Sequence, residues 1–555
     1  MGVTMSSENV PTTTLLLGDE AVALGAIHAG ITGAYGYPGT PSTEIMEHLL
    51  SYSKEHGKPL AAWCANEKTA YEEALGVSVV GRRALVTMKH VGLNVAADPF
   101  MSSALVSIHG GLVIAVADDP GMHSSQNEQD SRYYANFARI LCFEPTNHQE
   151  AYDMTREAFA ASEKFKMPVM IRLVTRLAHG RGMVQERKAD TEKALQKAPS
   201  SAPWILIPSN ARQQWRARLS QQLSLGAYAG LSSYNTLSLN SRDLGVITTG
   251  TARNYYFECQ PELVEQPSHL HVGVYPFPED KVRSLVEHVK RVIILEEGYP
   301  FLERALRGII APRSGKLQII GKEPSLTTDL RLPEDGELTP DIVRAVLGLQ
   351  TQKGLESPGF PLPNRPPQLC PGCPHIDSFE ALKAALSTFE NKLVTSDIGC
   401  YALGAMPEYN AIESCVCMGA SVGMAKGAAE AGFYPVVAVL GDSTFLHSGM
   451  SPLLDAVASN ANMTLMIFDN QTVAMTGGQE TIAPSSRLKE VVLGLGVDPE
   501  HLKVITTHRR NLEQNVMIIK AEVEHRGLSV IIAVRECIET AKRKKIPNSR
   551  PESVE

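Results

Sequence analysis

The hydrophobic pattern of the chain alternates between short apolar runs and longer stretches with helical spacing. The clearest case lies towards the C-terminal end, where apolar residues 436–440 are followed by a helical stretch and then by a second apolar run at residues 463–468. Runs of this length are typical of buried strands in a parallel sheet. The pattern therefore predicts a strand–helix–strand unit whose two strands lie side by side.

The same alternation divides the whole chain into predicted segments. Residues 14–185 and 244–350 each read as an α/β domain, and residues 186–243 read as a helical connector. A Pro-rich stretch, 351–367, predicts a linker before a third α/β domain at residues 368–545. A flexible N-terminus, 1–13, and a polar tail, 546–555, flank these domains.

Composition and charge narrow the class of protein. The 555 residues are 43% hydrophobic and 20% charged, which is typical of a globular enzyme with several domains. The formal net charge of −8 argues against a general nucleic-acid binder. No stretch reaches the ~20 apolar residues of a membrane helix, and the N-terminus lacks the apolar core of a signal peptide. Nine cysteines in so long a chain favour a reducing compartment, so we expect a cytoplasmic protein.

Polar residues follow both apolar runs of the C-terminal unit. Because parallel strands end at one edge of the sheet, Asp442 and Asn470 should lie close together. With a backbone carbonyl near Thr472 they make a plausible Mg²⁺ site, completed by phosphates. Glycines at 441, 477 and 478 would let the backbone approach those phosphates. The alternative is an ordinary strand–helix–strand unit with an Asp in the turn.

Two features of the first domain suggest an anion site and a carboxylate. The turn at residues 37–43 exposes hydroxyls and helix N-terminal amides, which suit a substrate carboxylate, although Ser42 or Thr43 could simply cap the helix. Glu67 begins another helix, where the dipole alone favours an acidic residue. Two polar runs, 86–94 and 118–130, follow strands and could be active-site loops or solvated connections.

Cysteines raise the question of a metal cluster. Cys370 and Cys373 form a Cys-x-x-Cys pair, and Cys400, Cys415 and Cys417 follow, which suggests zinc or iron–sulfur binding. A zinc ribbon needs a second Cys-x-x-Cys pair, which residues 415–417 do not supply.

Three glycines, at 419, 423 and 427, recur at helical spacing. They predict a small-residue helix face for close packing.

Several of these motifs together resemble one enzyme family. Gly-Asp-x followed about 28 residues later by Asn resembles the diphosphate-binding motif of thiamine diphosphate enzymes. The run Met-Thr-Gly-Gly-Gln at 475–479, the turn at 37–42 and Cys-Pro-Gly-Cys-Pro-His at 370–375 resemble 2-oxoacid:ferredoxin oxidoreductases. The resemblance is strongest to the indolepyruvate ferredoxin oxidoreductase α subunits and covers nearly all of residues 14–545.

The resemblance implies a multi-domain α/β thiamine diphosphate-binding fold. Residues 14–185 would be the pyrimidine-binding domain, 244–350 a transketolase C-terminal-like domain and 368–545 the diphosphate-binding domain. Glu67 would activate the cofactor, Thr40 would contact the substrate, and Asp442, Asn470 and Thr472 would hold Mg²⁺. The expected cofactor-binding residues are Cys370, Cys373, His375, Asp397, Cys400, Gly441, Ser443, Thr476, Gly477 and Gly478. The pattern gives no individual roles to Lys89, His90, His123, Gln126 and His447.

The implied reaction is oxidative decarboxylation of an aryl pyruvate, through a thiamine diphosphate enamine, to the acyl-CoA. The implied partners are the 2-oxoacid, coenzyme A and a β subunit. The family continues into a ferredoxin-like module with two cluster-binding cysteine runs, which this sequence lacks. We therefore expect no iron–sulfur cluster in this chain and a separate iron–sulfur or flavin electron carrier. Two alternatives are a non-oxidative decarboxylase or carboligase and a non-catalytic scaffold; the intact Glu67, Asp442 and Asn470 argue against the scaffold.

Overall fold

The chain forms two compact units, Met1–Leu355 and Glu356–Glu555. The computed structural model describes residues 12–310, 317–325, 328–352, 354, 359–360, 367–482 and 485–545. The division falls inside the predicted linker, 351–367, most of which lies outside the described residues. The same holds for residues 1–11 of the predicted flexible N-terminus and for the predicted polar tail, 546–555.

The first unit contains two mainly parallel sheets and a two-stranded antiparallel sheet formed by residues 13–17 and 181–185. Its strands are β1 (Thr13–Leu17), β2 (Gly33–Gly36), β3 (Leu60–Trp63), β4 (Ala84–Lys89), β5 (Leu112–Asp118), β6 (Cys142–Phe143), β7 (Val169–Val174), β8 (Arg181–Gln185), β9 (Asn235–Ser238), β10 (Leu244–Thr249), β11 (Ser268–Val272), β12 (Val274–Tyr275), β13 (Arg291–Leu295) and β14 (Gln318–Ile320). The larger sheet has the order β12-β6-β7-β5-β4-β2-β3, and all its pairs are parallel except β12–β6. The smaller has the order β14-β13-β10-β11-β9, with only β9 antiparallel.

Helices join these strands, as a parallel sheet requires. In the first unit they are α1 (Gly18–His28), α2 (Thr43–His56), α3 (Glu67–Val79), α4 (His90–Val95), α5 (Ala97–Ser103), α6 (Arg132–Ala138), α7 (His148–Phe165), α8 (Thr175–His179), α9 (Pro208–Leu231), α10 (Ala252–Cys259), α11 (Glu279–His288), α12 (Phe301–Ile310) and α13 (Pro340–Val346). The predicted connector, 186–243, supplies the long helix α9 but also the strand β9, which the sequence pattern did not indicate.

A buried ionic cluster links the two sheets of the first unit. Arg172, on β7, donates to Asp118, on β5, over 2.6 Å, and the Arg132 Nη1 atom donates to Glu296, directly after β13, over 3.0 Å. Asp130 bonds Arg132 through Nε at 2.9 Å. All five side chains are essentially inaccessible to solvent. The predicted segments 14–185 and 244–350 are thus joined by charge pairs that solvent does not screen.

The second unit is built on one five-stranded parallel sheet with the order β15-β16-β17-β21-β20. Its strands are β15 (Leu393–Thr395), β16 (Val436–Gly441), β17 (Thr464–Asp469), β18 (Thr472–Val473), β19 (Gln479–Glu480), β20 (Leu502–Thr506) and β21 (Ser529–Val534). Its helices are α14 (Pro374–Ala385), α15 (Ala420–Glu430), α16 (Asp442–Thr444), α17 (Met450–Ala458), α18 (Ser485–Gly494), α19 (Leu512–Glu524) and α20 (Ile538–Lys545). The predicted apolar runs are the fully buried β16 and β17, which pair in parallel.

The predicted α/β class with parallel sheets is confirmed.

The predicted packing face of glycines on α15 is wrong for two of the three: no described atom lies within 4 Å of a Cβ built on Gly423 or Gly427. A Cβ on Gly419 would lie 2.6 Å from the Ser448 side chain, so close approach occurs only at the helix start. No helix in the described part of the chain is both long and apolar enough to cross a membrane.

Candidate active site

The sharpest feature of the second unit is a buried carboxylate at the end of β16. Asp442 is 3% exposed, and its Oδ2 atom has no hydrogen-bond partner among the residues that the structure describes. Burial, and then the nearby Asp469 carboxylate, raise the pKa of Asp442 to about 8, although the backbone amides of Ser443 and Gln471 favour its charged form. A carboxylate buried in this way is stabilised by a bound cation.

The turn after β17 supplies the other oxygen ligands. Gly441 is in register with Phe468, so Asn470 follows at the same edge of the sheet as Asp442. The Asn470 Oδ1 atom accepts a hydrogen bond from the Thr472 amide at 3.2 Å, which fixes the side chain. The structure therefore brings Asp442 to the turn that carries Asn470 and Thr472, as the sequence predicted. An oxygen-rich site of this kind suits Mg²⁺.

A short hairpin holds the glycines that follow. Strands β18 and β19 pair in antiparallel fashion around residues 474–478, and the Thr476 hydroxyl donates to the Gln479 side chain at 2.6 Å. Gly477 and Gly478 have φ values of +130° and +88°, a region that side chains disfavour. Their amides donate to the Ala474 and Val473 carbonyls, so what the two glycines supply is a surface without side chains that a diphosphate group can approach closely.

A cavity beside this hairpin collects most of the predicted cofactor-lining residues. Its lining includes Cys370, Cys373, His375, Cys400, Asn470, Gly477, Gly478 and Cys537. Cys537 is a site residue that the sequence analysis missed, because nothing in the spacing links it to the Cys-x-x-Cys pair. Burial raises the pKa of Cys373 to about 11 and that of Cys400 to about 12.

The thiols of this cavity are too far apart for a mononuclear zinc site. Among the described His, Cys, Asp and Glu residues, only one set, in the other unit, has three or more ligand atoms within 4.8 Å of one another. Tetrahedral zinc with Zn–S bonds of about 2.3 Å would draw its sulfurs closer than that. A mononuclear zinc interpretation of Cys370 and Cys373 is therefore not supported.

His375 is neutral and lies between Phe468 of the sheet and the cavity. Burial lowers its pKa to about 4, and its ring stacks on Phe468 with centroids 5.5 Å apart. The Asn470 Nδ2 atom lies 3.4 Å from its Nε2 atom. Since an amide nitrogen only donates, Nε2 accepts and the ring proton resides on Nδ1. His375 thus orients Asn470 without adding charge.

Other predicted residues take supporting positions. The Asp397 carboxylate accepts hydrogen bonds from the Ser421 hydroxyl and from Tyr401 and is not among the described residues that line the cavity. A Cβ on Gly441 would lie 2.8 Å from the Tyr401 ring, so close packing explains this glycine. Ser443 directly follows Asp442, and its buried hydroxyl lacks a partner among the described residues.

Next to Ser443, a π-helical turn, Phe445–Gly449, carries the buried His447.

In the first unit, Glu67 lies against a glycine of a neighbouring element. It is 5% exposed and begins α3, whose N-cap Asn66 accepts a hydrogen bond from the Thr69 amide at 2.9 Å. A Cβ on Gly92, in α4, would lie 2.5 Å from the Glu67 Oε1 atom. The run at 86–94, expected to be an active-site loop or a solvated connection, thus lies beside Glu67, and its glycine makes room for the carboxylate.

Lys89 connects this carboxylate to the predicted substrate turn. Burial lowers the pKa of Lys89 to about 8, opposed by the Asp119 and Glu67 carboxylates. Its ammonium donates to the Ser124 carbonyl at 3.0 Å, and a Cβ on Gly39 would lie 3.1 Å from its stem. Lys89 therefore lies beside the turn that carries Thr40.

The turn at 37–43 is held by side chains rather than capped by them. The Thr43 hydroxyl accepts from the Gly39 amide at 3.0 Å, and the Ser42 hydroxyl donates to the Gly39 carbonyl at 2.8 Å. Helix α2 has no side-chain cap bond from Ser42, its N-cap residue in the described chain. The capping alternative for Ser42 is therefore wrong. The Thr40 carbonyl accepts from the Ser124 hydroxyl at 3.2 Å.

The polar loop at 118–130 is organised by Asp119, whose Oδ2 atom accepts from the Ser125 hydroxyl at 2.6 Å. The buried His90 ring contacts the Asn127 carbonyl at 3.1 Å. His123 is 54% exposed and lies 3.2 Å from Glu337, and Gln126 is exposed. The loop thus meets the Lys89 region through its backbone, not through His123 or Gln126.

Replacing Gly92 by alanine should lower kcat sharply while leaving cofactor affinity nearly unchanged. The new methyl group would displace the Glu67 carboxylate, which lies within 3 Å of that position. Steady-state kinetics and calorimetric titration with thiamine diphosphate would measure the two effects. Gly76→Ala, on α3 with no described atom within 4 Å of its Cβ, is the matched control. Unchanged kcat in Gly92→Ala would contradict a catalytic position for Glu67.

Comparison with known proteins identifies thiamine diphosphate-binding domains in both units. Residues 24–210 match the family "Pyruvate flavodoxin/ferredoxin oxidoreductase, thiamine diP-bdg", and residues 397–532 match "Thiamine pyrophosphate enzyme, C-terminal TPP binding domain". The chain is 36% identical over 550 residues to an indolepyruvate oxidoreductase subunit IorA of Archaeoglobus fulgidus, covering 94% of this chain and 86% of the relative. The IorA subunit of Thermococcus kodakarensis is 33% identical over 566 residues, covering 94% and 85%.

Among solved structures, one similar chain is that of a 2-oxoglutarate:ferredoxin oxidoreductase from Magnetococcus marinus. It aligns with a TM-score of 0.48 at 16% identity, covering 61% of this chain and 66% of that one.

Proposed function

The chain belongs to the family of indolepyruvate oxidoreductase IorA subunits, and from this premise we propose that it converts an aryl pyruvate to the acyl-CoA by oxidative decarboxylation. It is a thiamine diphosphate-dependent 2-oxoacid oxidoreductase. The observation that carries the proposal is the Asp442 carboxylate, buried at the sheet edge with one oxygen lacking a partner among the described residues. Such a group calls for a cation, and Mg²⁺ is usual in these enzymes.

The residues around Asp442 fit a magnesium diphosphate group. Asp442, Asn470 and the Thr472 carbonyl would hold Mg²⁺, and the backbone at Gly477 and Gly478 would approach the diphosphate. When bound, thiamine diphosphate supplies the carbanion chemistry that lets a 2-oxoacid lose CO₂. The thiol-lined cavity beside the hairpin would receive the rest of the cofactor's contacts in this unit.

Glu67 is the residue that we propose for proton handling. Its carboxylate would hydrogen-bond N1′ of the aminopyrimidine and hold a proton there, which makes the cofactor's exocyclic nitrogen a base. Burial against Gly92 fixes the position of the carboxylate and excludes water from it.

Thr40 and Lys89 are the residues that we propose for the substrate carboxylate. Thr40 would donate a hydrogen bond from its hydroxyl, because a carboxylate only accepts hydrogen bonds. The Thr40 carbonyl accepts from the Ser124 hydroxyl, which holds the turn in place. Lys89 would add a positive charge that burial makes strong, because less water screens it. A charge-assisted hydrogen bond also favours a carboxylate over a neutral group.

Substrate binding should therefore weaken as the pH rises above about 8, where Lys89 loses its proton. We expect KM for the 2-oxoacid to increase from pH 8 to 9.5 with little change in kcat. Lys89→Met should show a raised KM at pH 7 and no such increase, whereas Lys89→Arg should retain affinity. Steady-state kinetics across this pH range would measure both.

Unfolding provides an independent check of the Lys89 titration. The folded pKa of about 8 lies below the ordinary value of 10.5, so between these pH values the unfolded chain binds more protons. The Lys89 contribution to the free energy of unfolding therefore rises with pH in that window. Urea titrations of wild type and Lys89→Met should differ most at pH 7. An equal difference at pH 7 and pH 10.5 would contradict the assigned pKa.

The partners that we propose are coenzyme A, a β subunit and a separate iron–sulfur or flavin carrier. The relatives are named as subunits, which supports a partner chain. All nine cysteines lie in the described part of the chain and are free thiols, which supports a cytoplasmic location.

The cavity offers a direct test of the carrier. The sequence predicts no cluster in this chain, whereas Cys370, Cys373, Cys400 and Cys537 supply the ligand number of one cubane cluster. We expect iron and sulfide assays on the anaerobically purified protein to find no cluster; iron and sulfide bound at these thiols would contradict a separate first acceptor.

Turnover of indolepyruvate and phenylpyruvate by the anaerobic protein tests the proposed reaction. The assay contains thiamine diphosphate and Mg²⁺, with or without the β subunit, coenzyme A and a viologen dye. We expect CO₂, acyl-CoA and reduced dye in stoichiometric amounts only when all components are present. Release of CO₂ and free aldehyde without acceptor would instead indicate the non-oxidative decarboxylase. The Asp442→Ala variant serves as the inactive control.

A further inference from the structure

A second cluster of potential metal ligands lies in the first unit. Asp19 on α1, Glu44 on α2 and His179 on α8 place their ligand atoms within 4.8 Å of one another. The His179 Nε2 atom is 3.4 Å from the Glu44 Oε2 atom, a separation that neighbouring ligands of one ion also show. We propose that Asp19, Glu44 and His179 bind a divalent transition-metal ion, distinct from the Mg²⁺ proposed at Asp442.

The backbone fixes this arrangement without help from an ion. The Gly18 amide donates to the Gly180 carbonyl at 3.3 Å, which sets the start of α1 against the end of α8. A Cβ on Gly18 would lie only 2.1 Å from the Leu177 carbonyl oxygen, so glycine is required for this approach. Asp19 and His179 each adjoin one of these glycines. A preformed site lowers the ordering cost of binding.

The carboxylate of Asp19 points to an occupant of the cluster. Asp19 is completely buried, and neither of its oxygens has a hydrogen-bond partner in the described chain. A fully buried carboxylate without a partner, close to a second carboxylate, needs a proton or a cation between the two.

The ligand set indicates the class of ion. Two carboxylates and one imidazole suit Mn²⁺, Fe²⁺ or Zn²⁺ better than Mg²⁺, which prefers oxygen ligands and retained water. The Glu44 and His179 side chains are 33% and 34% exposed, so an ion can enter from their side and keep water ligands. A bound ion would hold the start of α2, and with it the turn that carries Thr40.

Binding of Mn²⁺ to the full-length chain tests this site. The protein is first stripped with chelator and studied without thiamine diphosphate, whose diphosphate completes the other site. We expect one tightly bound Mn²⁺ per chain, with the nitrogen modulation of a bound imidazole in pulsed electron paramagnetic resonance. The Mg²⁺ site proposed at Asp442 has only oxygen ligands and cannot give that signal.

Ligand variants and controls complete the test. His179→Gln should abolish the nitrogen signal, and Asp19→Asn should weaken Mn²⁺ binding at least tenfold and remove the Mn²⁺-induced increase in Tm. His56→Gln and Asp98→Asn, both exposed, should behave as wild type. Mn²⁺ without nitrogen coupling in wild type, or binding retained in Asp19→Asn, would overturn the proposal. So would a wild-type Tm that Mn²⁺ leaves unchanged, because Asp19 would then be a protonated structural residue.

Discussion

Replacing Asp442 by alanine should abolish binding of thiamine diphosphate and Mg²⁺ and, with it, all turnover. The carboxylate is the one proposed ligand that carries a charge in the Asp442–Asn470–Thr472 set. Without it, the diphosphate would bring its negative charge to a buried edge that already holds Asp469. Calorimetric titration with the cofactor in millimolar Mg²⁺ would measure the loss. We expect no detectable heat of binding where wild type binds one cofactor per chain.

The same variant distinguishes a binding defect from a folding defect. Alanine removes both carboxylate oxygens: Oδ2 has no partner in the described chain, but the Ser443 and Gln471 amides lose the carboxylate with which they interact. The unliganded variant should therefore fold with a Tm modestly below that of wild type, and the cofactor-induced increase in Tm should disappear. Asp455→Ala, an exposed carboxylate on α17, is the matched control. Stoichiometric cofactor in purified Asp442→Ala would disprove the metal assignment.

Replacing Glu67 by glutamine should reduce kcat by roughly 10²- to 10⁴-fold, the usual contribution of a positioned acid–base group. Glutamine fits the same volume beside Gly92, so the packing and the cofactor affinity should change little. What is lost is the negative charge that holds a proton on N1′. Deuterium exchange at C2 of the bound thiazolium, followed by NMR, should slow in parallel with kcat.

A second glutamate on helix α3 provides the control variant for Glu67→Gln. Glu72, on the same helix α3, is 49% exposed and pairs with Lys68. Glu72→Gln should leave kcat, exchange at C2 and cofactor affinity at wild-type values. If Glu67→Gln instead lost cofactor binding at unchanged exchange rate in the bound fraction, Glu67 would be a binding residue and not the proton-handling group.

The parts of the site that the sequence predicted are those set by local pattern. Strands β16 and β17 were predicted from continuous apolar runs. Because the two strands are parallel, the residues that follow them lie at the same edge of the sheet. This reasoning placed Asp442 beside Asn470, and the structure agrees. The α/β class likewise follows from alternation along the chain.

The parts that it could not predict depend on packing between distant segments. Gly92 makes room for Glu67 because helices α3 and α4 come together in the folded chain. The spacing of residues along the sequence does not predict this contact. Cys537 reaches the cavity of Cys370 because β21 ends beside the Asn470 turn, where the Cys537 amide bonds the Asn470 carbonyl. The short strands β9 and β12 form by pairing with neighbouring strands. Their own residues show too little alternation of apolar and polar positions to predict a strand.

The buried arginines of the first unit decide where this chain can be divided. Sequence pattern suggests cutting near residue 243, between its two α/β segments. A fragment ending there would keep Arg132 and lose Glu296 together with the Glu297 carbonyl, to which Arg132 donates at 2.9 Å. Leaving a buried charge without its partner costs about 3–5 kcal/mol, a large part of a domain's stability. Residues 12–350 are therefore the smallest fragment of the first unit that we expect to fold when expressed alone. Limited proteolysis should leave the α9 region uncut until both sheets unfold.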